Sequence, residues 1–386
     1  MNVPIIISGG GIIGNYISLR LQRNNIHNII IEKSDGSLPK GSGIRTVTLN
    51  ENSIQLLKDV GISPSFSKVE HINVLDGEGS GKIQFAASDI NAGSLSYVIY
   101  FNELHSLTSE FCRDRTYFNN EINTIQNLNT ESDPEVILKD DTFIKANVIA
   151  GCDGRNSNVA KISSLSSKSD DYFQTAITFI VEADENNKTK AHQVFSEKGI
   201  FALMPAPDYQ GTSNSYTVVW SINNKDLRGK EISEYVTANI AFFESKLSIQ
   251  LRPISDMLSF RLTNHHFENY INGSVVLLGD AAHSIHPLAG QGINLGFADA
   301  DVFCEEIINA YKKGISINEK SVLKRYEIRR KSMNLLMLKS MDFFVDLFGS
   351  ENLYLRLFRN FGLSFVNKSR FIKTFFIRQA SGINKI

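Results

Sequence analysis

The residues best suited to chemistry lie in one stretch, residues 279–296, which reads GDAAHSIHPLAGQGINLG. Asp280 can accept hydrogen bonds from hydroxyl groups, Pro287 can stiffen the turn, and Gly290 and Gly292 let a flat ligand approach the backbone. A helix N-terminus here would add free N–H groups and a partial positive charge. The stretch therefore suits an extended ligand with hydroxyls at one end and a ring that becomes anionic at the other. Reduced flavin is such a ligand.

The elements that position these residues are predicted from apolar spacing. Residues 275–278 form an apolar run typical of a buried strand. From 291 to 311 apolar side chains recur at helical spacing, and Gly314 stands where such a helix would end. The stretch is therefore predicted to be a strand, an irregular Gly/Pro turn and a helix N-terminus.

A second glycine-rich turn follows an apolar strand predicted over residues 3–8. Gly9, Gly11 and Gly14 fit the pattern G-x-G-x-x-G, and a strand over 29–31 ends at Glu32, with Lys33 beside it. In such a βαβ unit the glycines admit a pyrophosphate at the helix N-terminus, and the acidic residue binds ribose hydroxyls. The chain has a single copy of this pattern. A nicotinamide cofactor is therefore expected to bind transiently, without a dedicated Rossmann domain.

Together these motifs resemble the class A FAD-dependent aromatic hydroxylases, of the p-hydroxybenzoate hydroxylase type. The run HPLAGQGINLG is most similar to the ubiquinone-biosynthesis branch of that family. In the family the aspartate holds the ribityl chain and the Pro-to-Gly turn lies beside the flavin ring. The resemblance implies a flavin-ring environment, without a side-chain acid or base, made by Pro287, Gly290, Gln291 and Gly292. It implies cofactor contacts also for Gly279, Asp280, Ile293 and Asn294.

Three further segments, around Arg45, Asn102 and Asp153, resemble family motifs, and the second and third depart from the family pattern at one residue each. Arg45 lies in an R-x-x-x-L element whose arginine approaches the cofactor phosphates, while Asp153 and Gly154 begin a D-G-x-x-S motif. Asn102 and Ala160 stand where the family has arginines. We expect Arg45 and Asp153 to serve the phosphates and the pyridine nucleotide to be held loosely. The alternative for Arg45 is a solvated surface cation.

The predicted fold class is mixed α/β: a Rossmann-like FAD-binding domain with an inserted antiparallel-sheet substrate domain and C-terminal helices. Strand-like runs separated by turns begin at residue 172, and a helix over 233–247 follows them. The predicted ranges are 1–68, 95–171 and 265–320 for the FAD-binding domain, 69–94 and 172–264 for the sheet domain, and 321–386 for the C-terminal helical region, which opens with a long helix over 325–348.

Large apolar side chains in the predicted sheet are candidates for a substrate pocket that roofs the flavin ring. Each of them is individually more typical of plain core. The candidates are Phe195, Phe201, Leu203, Pro205 and Trp220.

Composition excludes several classes of function. The formal net charge of -1 argues against a nucleic-acid partner. The three cysteines match no metal or disulfide spacing, and the histidines have no carboxylate or cysteine cluster around them, so no metal site is expected. His283 is expected to pack and hydrogen-bond within its turn. With no apolar run of ~18 residues and no signal-peptide pattern, a cytoplasmic protein is expected.

These features predict an FAD-dependent monooxygenase. NAD(P)H would reduce non-covalently bound FAD, the reduced flavin would take up O2 as a hydroperoxide, and one oxygen would pass to an electron-rich aromatic ring. The resemblance favours a polyprenylated phenol or quinol of ubiquinone biosynthesis. Two alternatives remain open: a hydroxylase of a soluble aromatic or polyketide, including antibiotic-inactivating types, and a non-catalytic flavoprotein that acts as an assembly partner.

The residues from 351 onward suggest a further partner. They hold seven basic residues and one acidic residue, so the formal balance is 7 − 1 = +6, and aromatic side chains lie between them. Such a segment can lie in the headgroup region at the inner face of a membrane. The alternative is that the aromatic stripe packs on the FAD-binding domain. A homo-oligomer or a multiprotein biosynthetic complex is a further possibility.

Overall fold

The fold comes from a computed structural model that describes residues 1–38, 41–130, 132–285 and 292–349. Its strands are β1 (Asn2–Ser8), β2 (Asn28–Ile31), β3 (Thr46–Leu49), β4 (Ser67–Val69), β5 (His71–Asp76), β6 (Lys82–Ala86), β7 (Ser96–Tyr100), β8 (Thr116–Tyr117), β9 (Ile122–Gln126), β10 (Glu135–Leu138), β11 (Phe143–Gly151), β12 (Ser167–Ala183), β13 (Lys190–Ser196), β14 (Gly199–Pro205), β15 (Ser215–Asn223), β16 (Leu251–Pro253), β17 (Leu258–Phe267), β18 (Ile271–Asn272), β19 (Val275–Leu277) and β20 (His283–Ser284). Its α-helices are α1 (Ile12–Gln22), α2 (Glu51–Asp59), α3 (Phe101–Glu110), α4 (Asn158–Ile162), α5 (Asn224–Leu227), α6 (Ile232–Leu247), α7 (Gly292–Lys312) and α8 (Lys320–Gly349).

One sheet has a parallel centre in the order β19-β11-β1-β2-β8. Its central strands are continuous apolar runs because helices and loops cover both faces of such a sheet. Ile5, Ile6 and Ile7 of β1 are fully buried. Helices α1 and α7 pack together beside it, with the rings of Tyr16 and Phe297 edge to face at 5.3 Å. This half brings the ends of β1, β11 and β19 to one edge.

The second large sheet is mostly antiparallel, in the order β20-β17-β12-β15-β14-β13-β5-β6, with β16 beside β12. Helix α6 packs on one of its faces around a separate hydrophobic core. The mixed α/β fold expected from the sequence, with a Rossmann-like part and an antiparallel sheet, is confirmed. The predicted domain boundaries at residues 171/172 and 264/265 fall inside β12 and β17, and the pairing of these two strands shifts register between Asp171 and Gln174.

Strand β20 and helix α8 connect the two halves. β20 pairs with β17 as the edge strand of the antiparallel sheet, although it follows β19 of the parallel sheet by only a short turn. Helix α8, predicted over 325–348, runs along α7. Within the residues described, no helix is both long and apolar enough to cross a bilayer.

Candidate active site

The three glycines of the G-x-G-x-x-G pattern, between β1 and the first turn of α1, differ in what the fold requires of them. Gly9 has φ +105°, and a Cβ there would lie 2.5 Å from the carbonyl oxygen of Cys152. A Cβ on Gly14 would lie 2.0 Å from the carbonyl oxygen of Gly9. At Gly11 a Cβ would meet nothing within 4 Å. The first and third glycines allow the turn to form, whereas Gly11 leaves open space at the N-terminus of α1.

Glu32 lies directly above this turn, at the end of β2. One carboxylate oxygen accepts a hydrogen bond from the backbone N–H of Gly10 at 2.7 Å. The other accepts hydrogen bonds from the N–H and the hydroxyl of Ser34 at 2.8 and 2.7 Å. The side chain is therefore held in one orientation beside the glycines, as the sequence pattern requires.

A cavity of about 430 Å³ opens at this edge of the sheet. Its size is within the roughly 300–1,000 Å³ common for small-molecule sites. It brings together predicted cofactor residues from separate motifs, namely Gly9, Gly11, Glu32, Lys33, Asp153 and Gly154. A second cavity, of about 350 Å³, lies by the β5–β6 hairpin and includes none of the predicted residues.

The carboxylate of Asp153 is occupied by the start of α4. It accepts hydrogen bonds from the Ser157 hydroxyl at 2.6 Å and from the backbone N–H groups of Asn158 and Val159 at 2.7 and 3.1 Å. Ala160, where the family has an arginine, is buried in the same helix. The D-G motif thus lines the cavity, while its carboxylate accepts N–H groups at the start of α4.

Arg155, in the same motif, is not among the predicted site residues. Its guanidinium donates to the hydroxyls of Thr263 on β17 and Ser284 on β20, at 2.7 and 2.6 Å. These contacts tie the cavity wall to the antiparallel sheet beside the 279–296 stretch. The only sequence signal for Arg155 is its place between Gly154 and the serine of the motif.

Asp280 and Arg45 face the same space from distant parts of the chain. Asp280 is exposed in the turn after β19, where its backbone carbonyl accepts a hydrogen bond from Nε2 of His265 at 2.9 Å. Arg45 is solvent-exposed, and its guanidinium lies close enough to the Asp280 carboxylate to interact with it electrostatically. The guanidinium also lies over the ring of Phe101, 4.6 Å from its centroid. The pair offers a cation and an acceptor to an extended ligand.

Asn102 holds the turn that precedes Arg45. With its amide oriented to satisfy both of its groups, it donates to the hydroxyl and the carbonyl oxygen of Ser42 at 3.0 and 3.2 Å. Its oxygen accepts from the N–H of Gly43 at 3.1 Å. Where the family has an arginine, this chain has a side chain that fixes a loop.

The start of α7 is the described part of the predicted flavin-ring environment. Pro287, Gly290 and Gln291 lie outside the described residues. Among the described residues, none has an atom within 4 Å of a Cβ built on Gly292. Ile293, by contrast, is partly buried against the main core.

Asn294 binds neighbouring elements with its side chain. The amide donates to the carbonyl of Thr48 at 2.9 Å and accepts from the N–H of Asn50 at 2.9 Å and the hydroxyl of Ser53 at 2.8 Å. These bonds fix the N-terminus of α7 against β3 and α2.

A buried carboxylate, Asp299 on α7, anchors the predicted motif from behind. It accepts hydrogen bonds from the N–H of Gly279 at 3.1 Å, Nε2 of His283 at 2.6 Å, Nε of Arg330 at 2.8 Å and the amide of Asn334 at 2.9 Å. Burial alone would raise the pKa of Asp299, but His283 and Arg330 outweigh it and hold that pKa far below its usual range. His283 thus forms the hydrogen bond expected of it. Asp299 and Arg330 were not predicted, because their spacing in sequence marks no motif.

Three of the predicted substrate residues lie on the side of the sheet that faces α6. Phe201, Leu203 and Trp220 are fully buried, and the ring of Phe201 stacks on Phe243 of α6 at 4.2 Å. The indole of Trp220 donates to the carbonyl of Lys198 at 2.8 Å. The structure thus corrects their predicted placement over the flavin: they form the core between the sheet and α6. Size and aromaticity select core residues more readily than pocket residues.

The other two candidates are divided between the two faces. Pro205 pairs with Tyr216, a member of the α6-side core. Val194, the residue before Phe195, belongs to the α6-side core. Because side chains alternate along a strand, Phe195 is buried on the face away from α6.

The face opposite α6 meets the cofactor half at β3. The hydroxyl of Thr48 lies 3.6 Å from Sδ of Met204, and the hydroxyls of Thr46 and Thr217 are 3.2 Å apart. Ala202, between Phe201 and Leu203, is only partly buried on this face. Once the face that packs on α6 is known, the alternation of side chains along β14 and β15 places Ala202, Met204 and Thr217 on the other face.

The glycine turn supports a direct test of cofactor placement. We expect Gly11→Ala to fold with wild-type stability yet bind FAD at least about tenfold more weakly, because the added methyl occupies ligand space only. Gly14→Ala should lose stability, since its Cβ would overlap the carbonyl of Gly9. Gly93→Ala, where a Cβ also meets nothing within 4 Å, is the matched control for thermal melting and FAD titration. Normal FAD affinity in Gly11→Ala would place the cofactor elsewhere.

His265 should make stability depend on pH. Burial, with a smaller contribution from Arg155, lowers the pKa of His265 to about 4. In the unfolded chain the pKa of this histidine is about 6.5, so between about pH 6.5 and about pH 4 it is protonated in the unfolded chain and neutral in the folded one. The free energy of unfolding therefore decreases as the pH falls through this interval.

The measurement is urea unfolding of the wild type and His265→Gln at about pH 7.5 and about pH 4.5. Glutamine can still donate to the carbonyl of Asp280, so the variant should lose on the order of 3 kcal/mol less than the wild type over this interval. His27→Gln, at an exposed histidine, is the control. Equal losses in the wild type and His265→Gln would contradict the assignment.

Comparison with known proteins fits this geometry. The family model described as FAD binding domain matches residues 2–339. Ubiquinone hydroxylase UbiL of Rhodospirillum rubrum is 26% identical, over 99% of this chain and 90% of its own. The 3-demethoxyubiquinol 3-hydroxylase of Escherichia coli is 26% identical, over 98% of both chains.

Solved structures show the same fold at low identity. The p-nitrophenol 4-monooxygenase PnpA of Pseudomonas putida superposes with a TM-score of 0.77 at 16% identity, over 98% of both chains. HpxO of Klebsiella pneumoniae, crystallised with FAD and uric acid, gives a TM-score of 0.77 at 15% identity, over 98% of this chain and 97% of its own. The FAD cofactor and the monooxygenase class expected from the sequence are confirmed, and the chain belongs to the FAD binding domain family.

Proposed function

We propose that this chain hydroxylates a lipophilic phenol or quinol of ubiquinone biosynthesis, with NAD(P)H and O2 as co-substrates. The observation that carries the proposal is the order of the parallel strands: β1, β11 and β19 lie side by side, and each leads into one of the three motifs that resemble FAD contacts. The names of the two relatives above, and the run HPLAGQGINLG, support the substrate class.

The residues present fit FAD. The open backbone at Gly11 and the cavity beside Glu32 can take the adenosine and pyrophosphate, and the exposed Asp280 can bind the ribityl hydroxyls. The backbone N–H groups at the start of α7, at the positive end of the helix dipole, can stabilise negative charge on the ring. When bound, FAD supplies the activation of O2 and the transfer of one oxygen atom to the substrate ring.

The remaining tasks fall to the protein. The face of the antiparallel sheet that carries Met204 and Thr217 covers β3 and is placed to exclude water and to orient the aromatic ring. Arg45 is placed to approach the cofactor phosphates or the pyridine nucleotide. No side-chain base is assigned, since an activated phenol needs none to accept the oxygen.

The test is turnover by the purified, FAD-loaded protein with a short-chain prenylated phenol under isotopically labelled O2. We expect NAD(P)H oxidation that the phenol stimulates, and a product that carries one labelled oxygen. Asp280→Ala should lower FAD affinity by about tenfold or more through loss of a charged hydrogen-bond acceptor. Asp256→Ala, at another exposed aspartate, is the control.

The outcomes separate the alternatives. If only soluble aromatic compounds stimulate NAD(P)H oxidation, the substrate is a soluble aromatic rather than a prenylated phenol. Bound FAD without NAD(P)H oxidation under any condition would indicate a non-catalytic flavoprotein. Either result would contradict the proposed reaction.

We also propose that the basic and aromatic residues from 351 onward, outside the described residues, bring the enzyme to an anionic membrane surface. A lipophilic substrate would then reach the site without entering water. Each Lys or Arg near such a surface contributes about 1 kcal/mol, so binding should weaken with salt.

Co-sedimentation with phosphatidylserine-containing vesicles at low and high salt measures this contact. The triple variant Lys368→Gln, Arg370→Gln, Lys373→Gln should bind more weakly than the wild type. Its control is Lys312→Gln, Lys313→Gln, Lys320→Gln, at exposed lysines at the end of α7, in the turn after it and at the start of α8. No binding by the full chain at low salt would contradict membrane contact.

A further inference from the structure

Helix α8 carries five side chains at a spacing of four residues, all directed toward the cofactor turn or its surroundings. They are Tyr326, Arg330, Asn334, Leu338 and Asp342. Residues four apart form a continuous ridge on a helix surface. We refer to these five residues as the α8 ridge.

The N-terminal part of the ridge contacts the start of the cofactor turn. The hydroxyl of Tyr326 donates to the carbonyl oxygen of Leu277, the last residue of β19, at 2.8 Å. Arg330 and Asn334 both bind the carboxylate of Asp299, which in turn accepts the N–H of Gly279. Arg330 also donates to the amide oxygen of Asn334 at 2.8 Å, so the guanidinium has a fixed orientation.

The C-terminal part of the ridge contacts the other end of the turn and the antiparallel sheet. Leu338 packs with Ile285 and Leu295, which flank the predicted flavin-ring segment on both sides. The carboxylate of Asp342 accepts from the hydroxyl of Tyr172 at 2.7 Å and from the amide of Asn264 at 3.4 Å.

The part of the ridge at Arg330 is buried. Asp299 is fully buried, and Arg330 and Asn334 are 7% and 1% exposed. An ionised carboxylate in such surroundings requires its full set of donors, so the distance from α8 to Gly279 is fixed within hydrogen-bond limits. Asp280 is the residue that follows Gly279, so fixing Gly279 also fixes the backbone of Asp280.

We propose that Arg330 is a positioning residue for FAD: through Asp299 it holds Gly279, and thereby Asp280, in the place where Asp280 meets the ribityl chain. The inference rests on the proposed cofactor contact of Asp280. It assigns helix α8 a part in cofactor retention that acts through the Asp299 carboxylate.

A purely structural role would also make Arg330 important, so stability and FAD affinity must be separated. Arg330→Met leaves Asp299 buried and unpaired and is expected to cost stability as well. The double variant Asp299→Asn, Arg330→Met removes both charges, and such paired replacement of a buried ion pair is often neutral for stability. Arg330→Lys keeps the charge but cannot reproduce the two-pronged contact with Asp299 and Asn334.

The experiment measures thermal midpoints of the apo-proteins, FAD dissociation constants by fluorescence titration and the visible spectrum of bound flavin. We expect the double variant to melt close to the wild type but to bind FAD about tenfold more weakly, with a shifted flavin band. Arg330→Lys should weaken FAD several-fold without loss of fold. The matched control is Arg329→Met, which removes the neighbouring ion pairs to Glu305 and Glu306 and should leave FAD affinity unchanged.

Wild-type FAD affinity in Arg330→Lys, or recovery of both stability and FAD affinity in the double variant, would overturn the proposal. Neither result depends on the substrate. A failure here is therefore distinguishable from a failure of the proposed hydroxylation, which turnover by the wild type tests.

Discussion

A carboxylate buried away from water must be surrounded by donors, or it cannot remain ionised in the folded chain. Asp299 meets this condition with one N–H from the cofactor turn, one imidazole from β20 and two side chains from α8. Each donor comes from an element that must be in place for the others to be satisfied. The turn after β19, the edge strand of the antiparallel sheet and the long C-terminal helix therefore form one arrangement, and loss of any one contact exposes the others to the cost of an unpaired charge.

Around this anchor, the site is divided between side chains that hold the fold and backbone that is left open. Asp153, Asn102 and Asn294 all lie in motifs that resemble cofactor contacts, yet each is occupied by bonds to neighbouring elements. Gly11 and Gly292 have open space beside them as far as the described part of the chain shows, and Asp280 is exposed. The arrangement suits a large ligand that binds mostly through backbone N–H groups and a few side chains, because backbone groups at helix N-termini are already in position before the ligand arrives.

The predictable parts of this molecule were those with short-range causes. The G-x-G-x-x-G turn and Glu32 act within one βαβ unit, so spacing alone was enough to place them. The substrate candidates failed for a physical reason: Phe201 and Trp220 were selected by size, but strand alternation and the position of α6 decide which face is core. Asp299 and Arg330 were not accessible to sequence reasoning, since their pairing depends on how α7 and α8 pack. The same holds for Arg155, whose partners lie on β17 and β20.

We expect FAD to lie along the edge where the ends of β1, β11 and β19 meet, with the cofactor turn fixed by the Asp299 contacts. A crystal structure of the FAD-reconstituted protein would test this expectation. We predict the adenosine in the cavity beside Gly11 and Glu32, the ribityl chain within hydrogen-bond distance of the Asp280 carboxylate, and all four donors still on Asp299. FAD bound elsewhere, or a ribityl chain in contact with Asp280 while Asp299 has lost Gly279 or Arg330, would contradict it.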